Sequence, residues 1–313
     1  MDQSRGNRVA VILPCYNEAP AIASVVAGFR AALPEAAIYV FDNASSDGTG
    51  EVARRAGATV VLVKHRGKGN VVRRMFADVE ADIYLMADGD GTYDPAAAPA
   101  MIARLLGEGL DMVVGCRTAT GDAANRAGHQ FGNRALTGTV ARIFGDGFTD
   151  MLSGYRAMSR RYVKSFPALS KGFEIETELT IHALELRAPF GEVDTAYGNR
   201  AAGTMSKLST WGDGFRILGT ILRLHMLERP MEFYLTLALA GLFVSLGLGV
   251  PVVIEYLQTG LVPRFPTAIA AVGFMLGALL SAAVAIILDS VVTGRREAKR
   301  LVYLGIPAPR DKG

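Results

Sequence analysis

Cysteine is nearly absent: Cys15 and Cys116 are the two thiols in 313 residues. Their separation matches no zinc spacing, and two thiols do not make a disulfide framework. Each ends an apolar run that reads as a buried strand, which fits reduced thiols in a cytosolic domain. Charge of one sign is also lacking. The 33 Lys and Arg nearly balance 30 Asp and Glu, leaving a net charge of +3. No basic stripe interleaved with aromatic residues occurs, so no nucleic-acid partner is expected. Residues 1–8 are polar and 9–13 are too short for a signal core, so no signal peptide is read. Internal repeats and low-complexity segments are absent too. Trp211 is the single tryptophan.

In two places charge of any kind is missing. Residues 233–254 and 265–288 carry none. Each run exceeds the roughly 20 residues that cross a bilayer. Their glycine content is also that of membrane helices. The chain therefore reads as an integral membrane protein. Arg223 and Arg229 precede the first run; Arg295, Arg296, Lys299 and Arg300 follow the second. The connecting loop, 255–264, holds one cation, Arg264. The positive-inside rule then places both termini and the large N-terminal domain in the cytoplasm. In a bacterium the membrane would be the inner, plasma membrane. The spacing Gly241…Ser245…Gly249 packs spans against each other, either within one chain or between protomers of a homo-oligomer.

The rest of the chain alternates. Apolar strands are read at 9–13, 38–41, 59–63, 83–87 and 112–115. Helices are read at 20–33, from about 49 to 56, at 70–79, 96–107 and 174–187. Strand–helix alternation predicts a mostly parallel sheet flanked by helices, a Rossmann-like α/β domain. Near-continuous apolar strands imply burial on both faces. Residues 118–130 are polar and read as a loop. Residues 213–227 form an amphipathic helix, placed in the membrane interface or against the catalytic domain. The organisation expected is a domain at 1–210, an interfacial helix at 211–230, a membrane hairpin at 231–290 and a basic cytoplasmic tail at 291–313.

Polar residues cluster at the strand ends. Pro14-Cys15-Tyr16-Asn17-Glu18 follows the first strand, Asp42 ends the second, and Asp88-Gly89-Asp90 follows the fourth. In a parallel sheet these ends share the rim where open α/β folds bind ligands. Two carboxylates at i and i+2 suit Mg²⁺ or Mn²⁺, hard ions that neutralise diphosphates. Each feature also has a local explanation. Asp88-Gly89 is a turn before the helix near Pro95, Asn17 or Glu18 caps a helix, and Asp42 starts a turn.

The ordered set resembles family 2 glycosyltransferases of the GT-A fold. Gly115-Cys116-Arg117, Ser153-Gly154-Tyr155-Arg156, Phe173-Glu174-Ile175-Glu176-Thr177-Glu178 and Arg200…Ser206-Lys207-Leu208 look like the branch containing dolichol-phosphate mannose synthases and polyprenyl-phosphate sugar transferases. The resemblance covers about residues 8–225. It implies a nucleotide sugar donor carrying UDP or GDP, a polyprenyl phosphate acceptor, inversion, and Mg²⁺ or Mn²⁺ as cofactor. Pro14, Tyr16, Asn17, Glu18, Asp42 and Gly89 would line the nucleotide pocket, with Asp42 on the base. Lys68, in Arg66-Gly67-Lys68-Gly69-Asn70, would approach the diphosphate or position the strand before Asp88. A plain turn is the other reading of that stretch. Asp88 and Asp90 would serve the metal. Thr92 stands where relatives often carry a further ligand, Gln. Arg117 and Arg134, with Thr137, would meet the acceptor phosphate, since Arg forks match phosphate. Arg200, catalytic with Asp88 and Asp90, would close over the diphosphate on a lid that includes Ser206 and Lys207. Glu176 would contact the sugar hydroxyls. His182 reads as structural.

Two rivals remain. A processive polysaccharide synthase would carry Gln-x-x-Arg-Trp before its spans, and Trp211 lacks that context. A membrane-anchored sugar-nucleotide binding protein without turnover would not need Asp88, Asp90 and Arg200.

Overall fold

The computed structural model describes residues 7–119, 138, 148–172, 174–198, 226 and 229–309. The chain divides into two compact units, Met1–Asp213 with Ala298–Gly313, and Gly214–Glu297. In the first, β1 (Val9–Cys15), α1 (Ala19–Ala32), β2 (Ala37–Asp42), α2 (Thr49–Arg55), β3 (Thr59–Leu62), α3 (Lys68–Asp78) and β4 (Ile83–Met86) alternate as the apolar pattern predicts. A short 3₁₀ turn (Pro95–Ala97) leads into α4 (Ala98–Gly107), and β5 (Met112–Ala119) follows. β5 continues two residues into the stretch read as a loop.

Three elements were not anticipated: β6 (Arg156–Ser159), α5 (Arg160–Ser165) and β7 (Phe190–Tyr197). Between α5 and β7 lies α6 (Ile175–Leu186). Together the strands form one seven-stranded sheet in the order β3-β2-β1-β4-β6-β5-β7. β1 pairs in parallel with both β2 and β4, and β5 pairs in parallel with β7. β6 is the reversed strand, antiparallel to β4 and β5. This reversal brings the start of β6 to the same rim as the C-terminal ends of β1, β2, β4 and β5.

Successive strand residues face opposite sides of a sheet. Val11, Leu13, Ile38, Val40, Ile83 and Leu85 pack with Ile22, Val25, Val26 and Phe29 of α1 and Met101 and Leu105 of α4. Ala10, Ile12, Tyr84 and Met86 are equally buried. Burial of both faces explains why the parallel strands read as unbroken apolar runs.

The end of the last helix belongs with this unit. Lys299 pairs with the nearly buried Glu185 of α6 at 2.8 Å. Tyr303 donates its hydroxyl to Asp111 at 2.5 Å, and the Arg161 guanidinium lies 4.7 Å from the Tyr303 ring centroid. Asp111 has no solvent exposure and also accepts from Ser159 and, bidentately, from Arg161.

The second unit holds a helical hairpin, α7 (Pro230–Thr259) and α8 (Phe265–Leu304) as far as Glu297. Both helices are long and apolar enough to cross a membrane. Large apolar side chains such as Phe243, Leu257, Leu280 and Ile286 lie exposed along them. Their seam is built from small residues seven apart: Ala238, Ser245 and Val252 face inward on α7, and Ala271, Ala278, Ala285 and Val292 on α8. A heptad period of this kind keeps one stripe of each helix on its partner. Ser245 Oγ donates to the Ala271 carbonyl at 2.8 Å. The Gly241-Ser245-Gly249 spacing thus packs the two helices of one chain. Of the stretch expected as a basic tail, 291–313, the part up to Leu304 is a continuation of α8.

Candidate active site

The loops after β1 and β2 are laced together. Asn17 takes a left-handed backbone conformation, φ 54°. Its N–H donates to Ser45 Oγ, and its Oδ1 accepts from Ser46 N, both at 2.9 Å. Glu18 N–H donates to Thr49 Oγ1, and Ala19 N–H to Asp47 Oδ2. So Asp47, not Asn17 or Glu18, supplies the side-chain acceptor at the start of α1. Asp42, almost fully buried, accepts from Ser45 N at 2.9 Å, which is the turn role. The Arg66 guanidinium covers the Tyr16 ring at 4.8 Å and donates to its hydroxyl at 2.7 Å. Pro14 and Cys15 end β1 beside Phe41 and Asp42.

Gly89 lies directly against β1. A Cβ there would clash with Cys15 Sγ. Burial, and then the negative charges of Glu18, Asp88, Asp42 and Asp90, push the Cys15 thiol well above its ordinary value. Asp90 is buried, and its Oδ1 accepts from Thr92 N at 3.1 Å and Thr92 Oγ1 at 2.6 Å. Thr92 therefore orients Asp90.

At the centre of the rim stands Lys68, the first residue of α3. Its ammonium lies 2.5 Å from Asp88 Oδ1 and 2.5 Å from Glu176 Oε1. Burial disfavours the charged amine, but the two carboxylates outweigh burial and hold Lys68 above its ordinary value. The other oxygen of Glu176, Oε2, is buried with no hydrogen-bond partner among the described residues. Leaving such an acceptor unmet is costly, so a ligand donor is its natural complement.

The Gly-rich stretch is more than a turn. Gly67 has φ 119°, and Cβ atoms at Gly67 and Gly69 would strike the carbonyl oxygens of Lys171 and Ser170. Gly69 N–H donates to the Gly172 carbonyl at 3.1 Å. These two glycines let α3 start in contact with the 170–172 loop, which places Lys68. Glu178 ties down the same loop, accepting from Leu169 N and Ser170 N at 2.8 Å each. Glu176 and Glu178, two residues apart on α6, thus serve different faces.

Arg156 supports the arrangement from beneath. It is fully buried and donates to the carbonyls of Met151, Ser153 and Glu176 and to Thr180 Oγ1. Burial holds its guanidinium below the usual arginine value. It thereby joins the 151–154 loop to the first turn of α6.

Arg117 is engaged. Its Nε and Nη2 each reach an oxygen of Asp150 at 2.7 Å. Burial opposes its charge, but Asp150 more than compensates and raises it. The guanidinium also sits 5.6 Å from the Tyr197 ring centroid. Tyr197 packs edge-on to Tyr93, whose hydroxyl accepts from Gly154 N at 2.8 Å. A Cβ on Gly154 would lie 2.9 Å from Asp88 Oδ2. This chain of contacts connects Arg117 to the Asp88 end of the rim. Asp150, Tyr93 and Tyr197 were not foreseen. Asp150 lies 33 residues from Arg117, and no local pattern marks the pair.

Gly198 N–H donates to the Thr92 carbonyl at 2.9 Å, so the chain is anchored beside the Asp88–Asp90 loop two residues before Arg200. Arg134, Thr137, Arg200, Ser206 and Lys207 lie outside the described residues, as do most of the 118–130 loop and the 213–227 helix.

Asp88 and Asp90 offer hard carboxylate oxygens. Among the described residues no third His, Cys, Asp or Glu joins them in a metal-sized cluster. The pair fits Mg²⁺ or Mn²⁺, which are commonly held by one or two carboxylates with phosphate and water completing the shell.

Comparison with known proteins places these observations. Residues 10–166 match Glycosyl transferase family 2. The glycosyltransferase AglJ of Haloferax volcanii is 34% identical over 274 residues, covering 87% of this chain and 90% of that one. A dolichyl-phosphate hexose transferase of the same organism is 28% identical over 221 residues, 71% of this chain and 95% of that one. Among solved structures, glucosyl-3-phosphoglycerate synthase from Mycobacterium tuberculosis in complex with Mn²⁺ and UDP-glucose superimposes with a TM-score of 0.51. The two are 27% identical, covering 64% of this chain and 74% of that one.

Proposed function

The chain belongs to glycosyl transferase family 2, and from that premise we propose that it moves a hexose from a UDP- or GDP-sugar to a membrane polyprenyl phosphate. The observation that carries this reading is the Asp88–Lys68–Glu176 cluster on the sheet rim, with Glu176 Oε2 lacking a donor among the described residues. Two membrane-length helices on the same chain supply a reason for a lipid acceptor. The dolichyl-phosphate hexose transferase among its relatives supports that acceptor, and the Mn²⁺ and UDP-glucose of the M. tuberculosis enzyme support the donor side.

Pro14, Tyr16 and Asp42 line the nucleoside pocket, where Tyr16 and Arg66 offer a flat surface to a base. Asp88 and Asp90 would hold Mg²⁺ or Mn²⁺, which when bound withdraws charge from the diphosphate. Glu176 Oε2 accepts hydrogen bonds from sugar hydroxyls. Arg200 and Lys207 belong to a lid over the diphosphate. Arg117 and Arg134 receive the acceptor phosphate, with Thr137, three residues after Arg134, beside it. That phosphate is anionic near neutral pH, so the reaction needs positioning more than a base. Its oxygen attacks C1 of the hexose, the bond from C1 to the diphosphate oxygen breaks, and the electron pair leaves with the nucleoside diphosphate. Attack opposite the leaving group inverts C1. The catalytic domain and both termini face the cytoplasm, consistent with the cations flanking the hairpin.

A donor screen tests the reading. The full chain in nanodiscs with undecaprenyl phosphate and Mn²⁺ or Mg²⁺ is given UDP-glucose, UDP-galactose, UDP-GlcNAc or GDP-mannose. One donor should release its nucleoside diphosphate, and Asp90→Ala should abolish release. No release from any donor would contradict the proposal.

A further inference from the structure

Lys68 stands between two carboxylates that the reading above gives to different halves of the donor. Asp88 serves the metal and nucleotide; Glu176 serves the sugar. One ammonium touches an oxygen of each at 2.5 Å. Its surroundings fix the start of α3 and confine the ammonium to the space between the two carboxylates. The Lys68 side chain is 10% exposed and that of Glu176 6%. Gly67 and Gly69 fix the start of α3 against the 170–172 loop. Glu178 and Arg73 hold that loop from α6 and α3, with Arg73 donating to the Ala168 carbonyl. Gly154 keeps its own Cβ position clear of both Lys68 Nζ and Asp88 Oδ2.

Charges this close in a water-poor site interact strongly. An ammonium shared between two carboxylates shifts toward whichever keeps its charge. We propose that Lys68 is a positioning residue that couples the two halves of the donor site, so that what binds Asp88 alters how Glu176 meets the sugar. The inference rests on the roles given above to Asp88 and Glu176. It adds that these two residues are linked energetically although neither contacts the other's part of the donor.

A double-mutant cycle decides it. The dissociation constant of the donor found by the screen is measured by calorimetry, with metal present and acceptor lipid absent, for wild type, Asp88→Asn, Glu176→Gln and the double variant. Once Asp88 is neutral, Lys68 moves onto Glu176, and losing Glu176 then matters less. The double variant should bind roughly tenfold better than the product of the single effects. In a Lys68→Met background the effects should multiply, and Lys68→Arg, whose fork spans two carboxylates, should restore part of the coupling. A purely structural Lys68 would lower thermal stability without producing this pattern. Multiplicative effects in the wild-type background would overturn the proposal, whether or not Lys68→Met folds. Wild-type binding untouched by either single substitution would instead remove Asp88 and Glu176 from the donor site, and the coupling with them.

Discussion

Side-chain contacts around Gly89 and Arg117 show what single residues contribute. A methyl group on Gly89 meets the Cys15 sulfur, while its next neighbours, Ile22 Cδ1 at 3.4 Å and Cys15 Cβ at 3.6 Å, are at ordinary contact distance. Gly89→Ala should therefore destabilise the chain by about 1–3 kcal/mol, as overpacking does. Cys15→Ala combined with Gly89→Ala should recover most of that loss in thermal unfolding; a double variant no better than Gly89→Ala would refute the contact. Arg117→Ala removes a charged phosphate donor in the proposed reading. It should raise the lipid phosphate needed for half-maximal rate about tenfold, with a smaller change for the nucleotide sugar. Equal shifts for both substrates would place Arg117 elsewhere. The strand-end carboxylates and Lys68 were legible because their chemistry sits in short motifs. The partners that aim them were not. The Thr92 hydroxyl donates to Asp90, a contact that its place two residues on does not announce, and the Arg117–Asp150 pair spans 33 residues. Such pairings arise from tertiary placement, which spacing does not encode.

Elements with continuous apolar patterns were legible almost to the residue, from β1 through α4. β6 was missed because Arg156-Ala157-Met158-Ser159 begins with a charge, and that charge is buried on carbonyl oxygens, not solvated. β7 was missed because its burial does not alternate cleanly. α6 carries the consequences for stability. His182 on this helix is buried, with Nε2 3.0 Å from Ser165 Oγ. Burial, aided by the Lys299 charge, pulls its pKa down from 6.5 to about 3. The unfolded chain takes up a proton below 6.5, whereas the folded chain does so near 3. His182 thus contributes stability above 6.5 that is lost as pH falls toward 3. Urea unfolding should show wild type losing stability across that window more steeply than His182→Gln; parallel curves would contradict the assignment. The segment 298–304 fixes β5 and α6 at their far ends, through Asp111 and Glu185. Tyr303→Phe removes one donor from the fully buried Asp111 and should cost about 1–3 kcal/mol in thermal unfolding. An unchanged midpoint would show that this helix end is not part of the α/β unit.

At the scale of the whole molecule, one chain joins a glycosyltransferase sheet to a membrane-length hairpin. The hairpin was legible because uncharged runs of that length have few other uses. Its small-residue seam was legible as packing, but whether it closed within one chain could be decided only from coordinates. In the proposed reading the carboxylates and buried cation of the sheet rim serve the nucleotide sugar, and the membrane-length hairpin is the reason for a lipid acceptor. The most direct test of that union is to follow the lipid itself by mass spectrometry. The full chain in nanodiscs is supplied with its active donor and a divalent metal, with and without undecaprenyl phosphate. The account predicts a lipid-phosphate hexose whose formation requires the lipid phosphate and disappears in Asp90→Ala. Donor turnover with no sugar on the lipid, at the same rate whether or not the lipid phosphate is present, would contradict it.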